Sequence, residues 1–189
     1  MRFFLLSIIL CCCLTTSAQE KKTAAPSKMQ YRAIVQAGML AGSTAESGQM
    51  QLINGVQFHR LYTGIGTGLD FYMYRGIPLF ADVRYDVLKK KGTLFAYADG
   101  GIHFPWVKNQ PDESIQKFYN GIYTDAGIGY RFHASNKTGL FVSAGYSYKQ
   151  VKQRVTSLWF TPWPIEPVQQ YEFRNYYLNR ISIKLGWMF

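Results

Sequence analysis

Three histidines carry the side chains best suited to proton transfer near neutral pH: His59, His103 and His133. Catalysis needs each to meet a serine or an acid within hydrogen-bond reach. No Gly-x-Ser-x-Gly elbow presents a nucleophile. His59 and His133 fall in short connecting stretches. His103 alone lies in an alternating segment that could bring Ser147 or Asp99 near it. The stretch "GIGTGLD" (Gly64 to Asp70) imitates a glycine-rich nucleotide loop, but no helix follows it, so a phosphate-cradling role fails. No group of His, Cys, Asp and Glu has metal-ligand spacing, and no cofactor is expected. Asn136 begins an "NKT" acceptor match, which is read as chance. The catalytic set is therefore empty, and the chain is expected not to be an enzyme.

The remaining charges have a different logic. Asp70, Asp82, Asp86, Asp99 and Asp125 face Arg84, Arg131, Lys149, Arg180 and Lys184 in number, and each sits in a stretch of alternating polarity. In Ile77 to Val87, for example, Ile77, Leu79, Ala81, Val83, Tyr85 and Val87 share one face against Phe80, Asp82, Arg84 and Asp86 on the other. Buried charges persist only when paired and hydrogen-bonded. The pattern thus predicts a closed structure whose interior holds a network of opposite charges.

Period-two alternation must position these groups, because helical periodicity is nearly absent. Eight strands are predicted: Gln30 to Leu40, Gln49 to Phe58, Leu61 to Tyr74, Ile77 to Val87, Gly92 to Phe104, Phe118 to Phe132, Gly139 to Lys149, and about Glu172 to Phe189. Most run 10 to 14 residues. Soluble strands usually run about 5–6, whereas a tilted membrane crossing takes about 9–11. Turns at His59-Arg60, "KKKG" (Lys89 to Gly92) and "HASNKT" (His133 to Thr138) are short. The opposite connections, Pro105 to Lys117 and Val151 to Tyr171, are long. Aromatic residues gather at strand ends on the apolar face, as two interfacial girdles would require. Asn54-Gly55 is a hairpin signal inside the second strand. A turn there would leave pieces too short to cross, so a continuous strand is preferred.

The chain has 189 residues, 16% of them aromatic, and a formal net charge of +10. Its start, "MRFFLLSIILCCCLTTSAQE", has a basic Arg2, an apolar run from Phe3 to Leu14 and small residues Thr16 and Ala18 before a cut. Residues 1–18 are read as a signal peptide, 19–29 as a flexible periplasmic leader, and 30–189 as the barrel. Leu10 precedes Cys11 where a lipoprotein signal wants a small residue. All three cysteines (Cys11, Cys12, Cys13) lie in the removed segment.

These features resemble the small eight-stranded outer-membrane β-barrel family of OmpA/OmpX type. The signal ending "SAQ" and the Tyr/Gly-rich strands are similar to barrel-only members common in Bacteroidota. The resemblance implies an all-β, eight-stranded antiparallel up-and-down transmembrane β-barrel in the Gram-negative outer membrane, exported through a cleaved signal peptide. It also implies that Leu185, Trp187 and Phe189 form the signal read by the barrel-insertion machinery. Many relatives carry a peptidoglycan-binding domain after the barrel, which is not expected here. The expected function is a non-enzymatic structural or interaction subunit with a lumen plugged by side chains. A narrow porin-like channel and a lipid-modifying enzyme are the alternatives.

Two outer features complete the expectations. The stretch "SLWFTPWPIEP" (Ser157 to Pro167) offers Trp159, Phe160, Trp163 and Ile165 as a lid or as a docking surface for another outer-membrane protein. Lys149, Lys152, Arg154 and Arg174 form a basic rim suited to lipid A phosphates. Partners are thus outer-membrane lipids and proteins, not nucleic acid.

Overall fold

A computed structural model describes residues 29–42, 46–71, 75–89, 92–106, 116–133, 138–160 and 167–189. The expected signal peptide and all of the leader except Met29 lie outside these residues. Among the described residues there are nine strands: β1 (Met29–Ala41), β2 (Glu46–Phe58), β3 (Leu61–Asp70), β4 (Gly76–Lys89), β5 (Gly92–Pro105), β6 (Gln116–Tyr119), β7 (Gly121–His133), β8 (Gly139–Phe160) and β9 (Pro167–Met188). Met29 is not leader: it opens β1, opposite Phe58.

Eight of these strands close an antiparallel barrel in the order β1-β2-β3-β4-β5-β7-β8-β9, with β9 pairing back onto β1. Starting at Tyr31, the registered partners run Val56, Thr63, Val83, Ala98, Ala126, Tyr146 and Ile181, and return to β1 at Ala41. The circuit comes back ten residues along β1, from 31 to 41. A stagger of this kind accompanies strand tilts of about 35–45° in barrels.

The second strand and its turn lie where the sequence places them, and the departures elsewhere have local causes. β2 runs unbroken through Asn54-Gly55, since Asn54 pairs with Ala33 and with Ile65. The ladder's need for partners on both sides outweighs the turn preference of that dipeptide. The turn falls instead at His59-Arg60, where His59 takes a left-handed φ of 55°. The β3–β4 ladder skips from Thr67↔Leu79 to Asp70↔Gly76, across Pro78, which has no N–H to offer. A register shift between Asp86 and Leu88 turns both Val87 and Leu88 outward.

The predicted strand from Phe118 to Phe132 is two strands. Asn120, Gly121 and Ile122 stand opposite only Gln150 and Val151, a bulge that separates β6 from β7. Gly121 makes this possible, because a Cβ there would lie 1.7 Å from the Gln150 carbonyl oxygen. The largest departure is the stretch Val151 to Tyr171, expected as a long loop. Its described residues, 151–160 and 167–171, belong to β8 and β9 instead, in one register from Gly139↔Met188 to Phe160↔Pro167. Each strand has 22 residues, roughly 70 Å at about 3.3 Å per residue. Cross-strand pairing carries the ladder outward, and Pro167 is tolerated because it is the first residue of its strand.

Burial alternates as predicted but with the sides of a soluble protein reversed. Ile65 is 67% exposed, and Val35, Leu52, Val83, Ile128, Val142 and Ile183 share its outward face. The buried core is in the lumen: Ile34, Ile53, Tyr62, Phe80, Phe95, Tyr97, Tyr123, Phe141 and Met188.

Candidate functional site: the charged lumen

The lumen is where the sequence placed its charges, and the strands deliver them there. Asp70, Asp82, Arg84, Asp86, Asp99, Asp125, Arg131, Lys149 and Lys184 are all buried. Arg180 is only half-buried and donates to Ser47 Oγ at 3.1 Å. The fifth buried cation is Arg32 rather than Arg180. Alternation along β1 points to it, since Arg32 falls between the outward Tyr31 and Ala33.

The pairs form tiers along the barrel. Nearest the Phe189 end, Arg131 Nη2 donates to Asp86 Oδ1 at 2.7 Å, and Gln57 Nε2 reaches Asp86 Oδ2 at 3.3 Å. Arg84 Nε then donates to both oxygens of Asp82, at 3.1 and 3.0 Å, and its Nη2 to Gln36 Oε1 at 3.1 Å. The same guanidinium lies 5.0 Å from the Phe141 ring centroid and 5.6 Å from that of Phe95, a cation held between aromatic faces. Gln36 and Gln51 bond to each other, and Gln51 donates on to Tyr123 Oη at 2.8 Å.

The next tier is the densest. Lys184 Nζ lies 2.9 Å from Asp125 Oδ2 and 3.5 Å from Asp99 Oδ2. These contacts are Coulombic rather than aligned hydrogen bonds, since neither Nζ nor those oxygens complete hydrogen-bond geometry. Asp125 Oδ1 accepts from Tyr97 Oη at 2.8 Å and Ser182 Oγ at 3.2 Å. Lys184 also sits 4.5 Å above the Tyr97 ring. Outermost, Lys149 Nζ donates to Asp70 Oδ1 at 2.7 Å.

Small residues make room for this filling. On β3, a Cβ at Gly64 would meet the buried Tyr62 hydroxyl at 2.9 Å, and one at Gly66 would meet the Phe80 ring at 2.5 Å. Gly186 stands where a Cβ would meet Phe141 at 2.2 Å, and Phe141 is itself fixed edge-on against Phe95.

His103 is buried beside the outermost tier. Its Nε2 lies 3.8 Å from Asp70 Oδ1, beyond hydrogen-bond reach, and makes no hydrogen bond. The acid it approaches is Asp70, not the expected Asp99. Ser147 Oγ, its expected partner, is buried without a hydrogen bond of its own. A base, a hydroxyl and an orienting acid are therefore not assembled among the described residues.

The basic rim divides. Lys149 points into the lumen and is bound to Asp70, so it is not a rim residue. Arg174 donates to Glu172 from Nε at 2.9 Å and Nη2 at 3.0 Å, which holds the Glu172 carboxyl below its usual range. It lies on the same sheet face as Gln153, its cross-strand partner, while Lys152 and Arg154 take the opposite face. Of the proposed lid or docking residues, Trp163 and Ile165 lie outside the described residues. Trp159 and Phe160 are described only as strand, opposite Val168 and Pro167. Leu185, Trp187 and Phe189 all face outward, Trp187 the least exposed at 37%.

No protein-family model and no curated protein matches the sequence. Solved structures do. The outer membrane protein OprG from Pseudomonas aeruginosa superposes with a TM-score of 0.57 at 7% identity, over 85% of this chain and 95% of that one. Neisserial surface protein A gives 0.50 at 13% identity, over 86% and 96%. The outer membrane protein AlkL, solved in DMPC lipid bilayers, gives 0.50 at 12% identity, over 92% and 95%. At such identities the likeness is one of fold. The chain is an eight-stranded antiparallel β-barrel of the kind found among small outer-membrane proteins.

Proposed function

We propose that this chain is a non-enzymatic integral protein of the outer membrane, a structural or interaction subunit whose lumen is closed by its own side chains. The observation that carries this reading is the reversal of sides. Large apolar residues cover the outward face of the barrel, while five aspartates and five basic residues are buried within it. In water such a surface would aggregate; in a bilayer it is the belt a barrel requires. A soluble barrel built to hold an apolar ligand would place that face inside.

The tiers favour closure over conduction. Each acid meets a cation, and the aromatic cluster fills the space between tiers, as an eight-stranded barrel is just wide enough for side chains to do. The tall β8–β9 hairpin is then the feature by which the barrel would meet another outer-membrane protein. Folded protein, verified by heat-modifiable gel mobility, is placed in planar bilayers under applied voltage. No discrete conductance steps are expected. Reproducible steps from the folded form would overturn the closed lumen and favour the narrow channel.

A further inference from the structure

Beyond the barrel wall, β6, β8 and β9 continue as a three-stranded sheet. Register sorts its side chains onto two faces. Lys117 pairs with Arg154, Tyr119 with Lys152, and Arg154 with Phe173, so these five share one face. β8 has no register shift from Gly139 onward, so this face continues the outward, apolar face of Leu140, Val142 and Tyr146. A tilted crossing takes about 9–11 residues. Counted from Leu140, it ends near Gln150. Lys152 and Arg154 come next, at the depth of the lipid headgroups.

This face has an unbalanced charge. Lys117 and Arg154 stand directly opposite each other, an arrangement that repels unless an anion lies between them. Among the described residues no carboxylate shares the face: Glu172 is on the other side of the sheet, bound to Arg174. Arg154 Nε is buried and makes no hydrogen bond. Its guanidinium lies 5.2 Å from the Tyr171 ring centroid, which holds the group in place with donors to spare. Aromatic rings beside cations, just above an apolar belt, suit a ligand with an acyl body and an anionic head.

We propose that Lys117, Lys152 and Arg154 form a binding site for the phosphate groups of an outer-leaflet lipid, which neutralise the facing cations through charge-assisted hydrogen bonds. The site rests on the membrane reading above. The test uses folded protein in a zwitterionic detergent, titrated separately with bis-phosphorylated lipid A, its dephosphorylated form and inorganic phosphate. The wild type should bind the phosphorylated lipid and bind the other two far more weakly. A basic residue near an anionic lipid surface contributes about fivefold, so the K117Q/K152Q/R154Q variant should bind about 100-fold more weakly. R174Q, on the opposite face, should bind as the wild type does. Unchanged affinity in the triple variant, an equal loss in R174Q, or equal binding of inorganic phosphate would each overturn the site. Water-soluble protein that never partitions into detergent would instead overturn the membrane reading on which it stands.

Discussion

Replacing Lys184 by methionine should destabilise the folded barrel by about 3–5 kcal/mol, the usual cost of removing one partner from a buried ion pair. The side chain is 1% exposed and lies between two carboxylates, those of Asp125 and Asp99. Methionine fills much of the same volume, so the loss is one of charge rather than of packing. Two acids would be left in a low-dielectric space with no cation between them. Urea unfolding of the barrel in lipid or detergent measures the change. Adding Asp99→Asn and Asp125→Asn to the same chain should restore most of it, because the repelling charges go with their partner. Asp125→Asn alone should cost less than Lys184→Met, since Tyr97 and Ser182 can still donate to the remaining amide oxygen. A Lys184→Met variant as stable as the wild type would show that the tier contributes nothing to the fold.

The second large effect is steric. Gly186→Val places a Cβ 2.2 Å from the Phe141 ring, with its two methyl groups beyond. Phe141 cannot retreat: it is fully buried, edge-on to Phe95, and covered by the Arg84 guanidinium. Overpacking usually costs about 1–3 kcal/mol and more where neighbours are fixed. The substitution should lower stability by at least about 3 kcal/mol, or prevent folding. Phe141→Ala in the same chain vacates the ring volume and should recover folding. That recovery, read by gel mobility and urea unfolding, separates a packing clash from a loss of strand propensity. If the double variant folds no better than Gly186→Val, the ring is not the obstacle.

Much of this architecture was legible because a period of two leaves few choices. Once Leu79 and Val83 face outward, Asp82 and Arg84 must face inward, whatever the tertiary detail. Nine of the ten lumen charges read from alternation are buried; Arg180 is the exception because β9 at that height stands near the open rim, past the last residues paired with β1. Which acid meets which cation was not legible. Lys149 and Asp70 are 79 residues apart, and their meeting depends on the register of every intervening strand. The tall hairpin was misread for a related reason. Val151 to Phe160 lacks a clean apolar–polar alternation, and prolines at 162, 164 and 167 point to a loop, so only pairing with β9 makes the stretch a strand. The ladder from Gly139 continues to Phe160↔Pro167. Arg174 was grouped with Lys152 and Arg154 by composition alone, and register separates them onto opposite faces.

The central claim is that the outward face of the barrel meets lipid. Single cysteines at Ile65, Val142 and Ile183, in a chain with Cys11, Cys12 and Cys13 replaced by serine, accept a nitroxide label after reconstitution into lipid vesicles. Dissolved oxygen should relax these labels far more strongly than a water-soluble nickel chelate does, whereas a label at Lys152 should shift toward the chelate. Labels at Ile65, Val142 and Ile183 that respond mainly to the chelate would place that face in water and contradict the account.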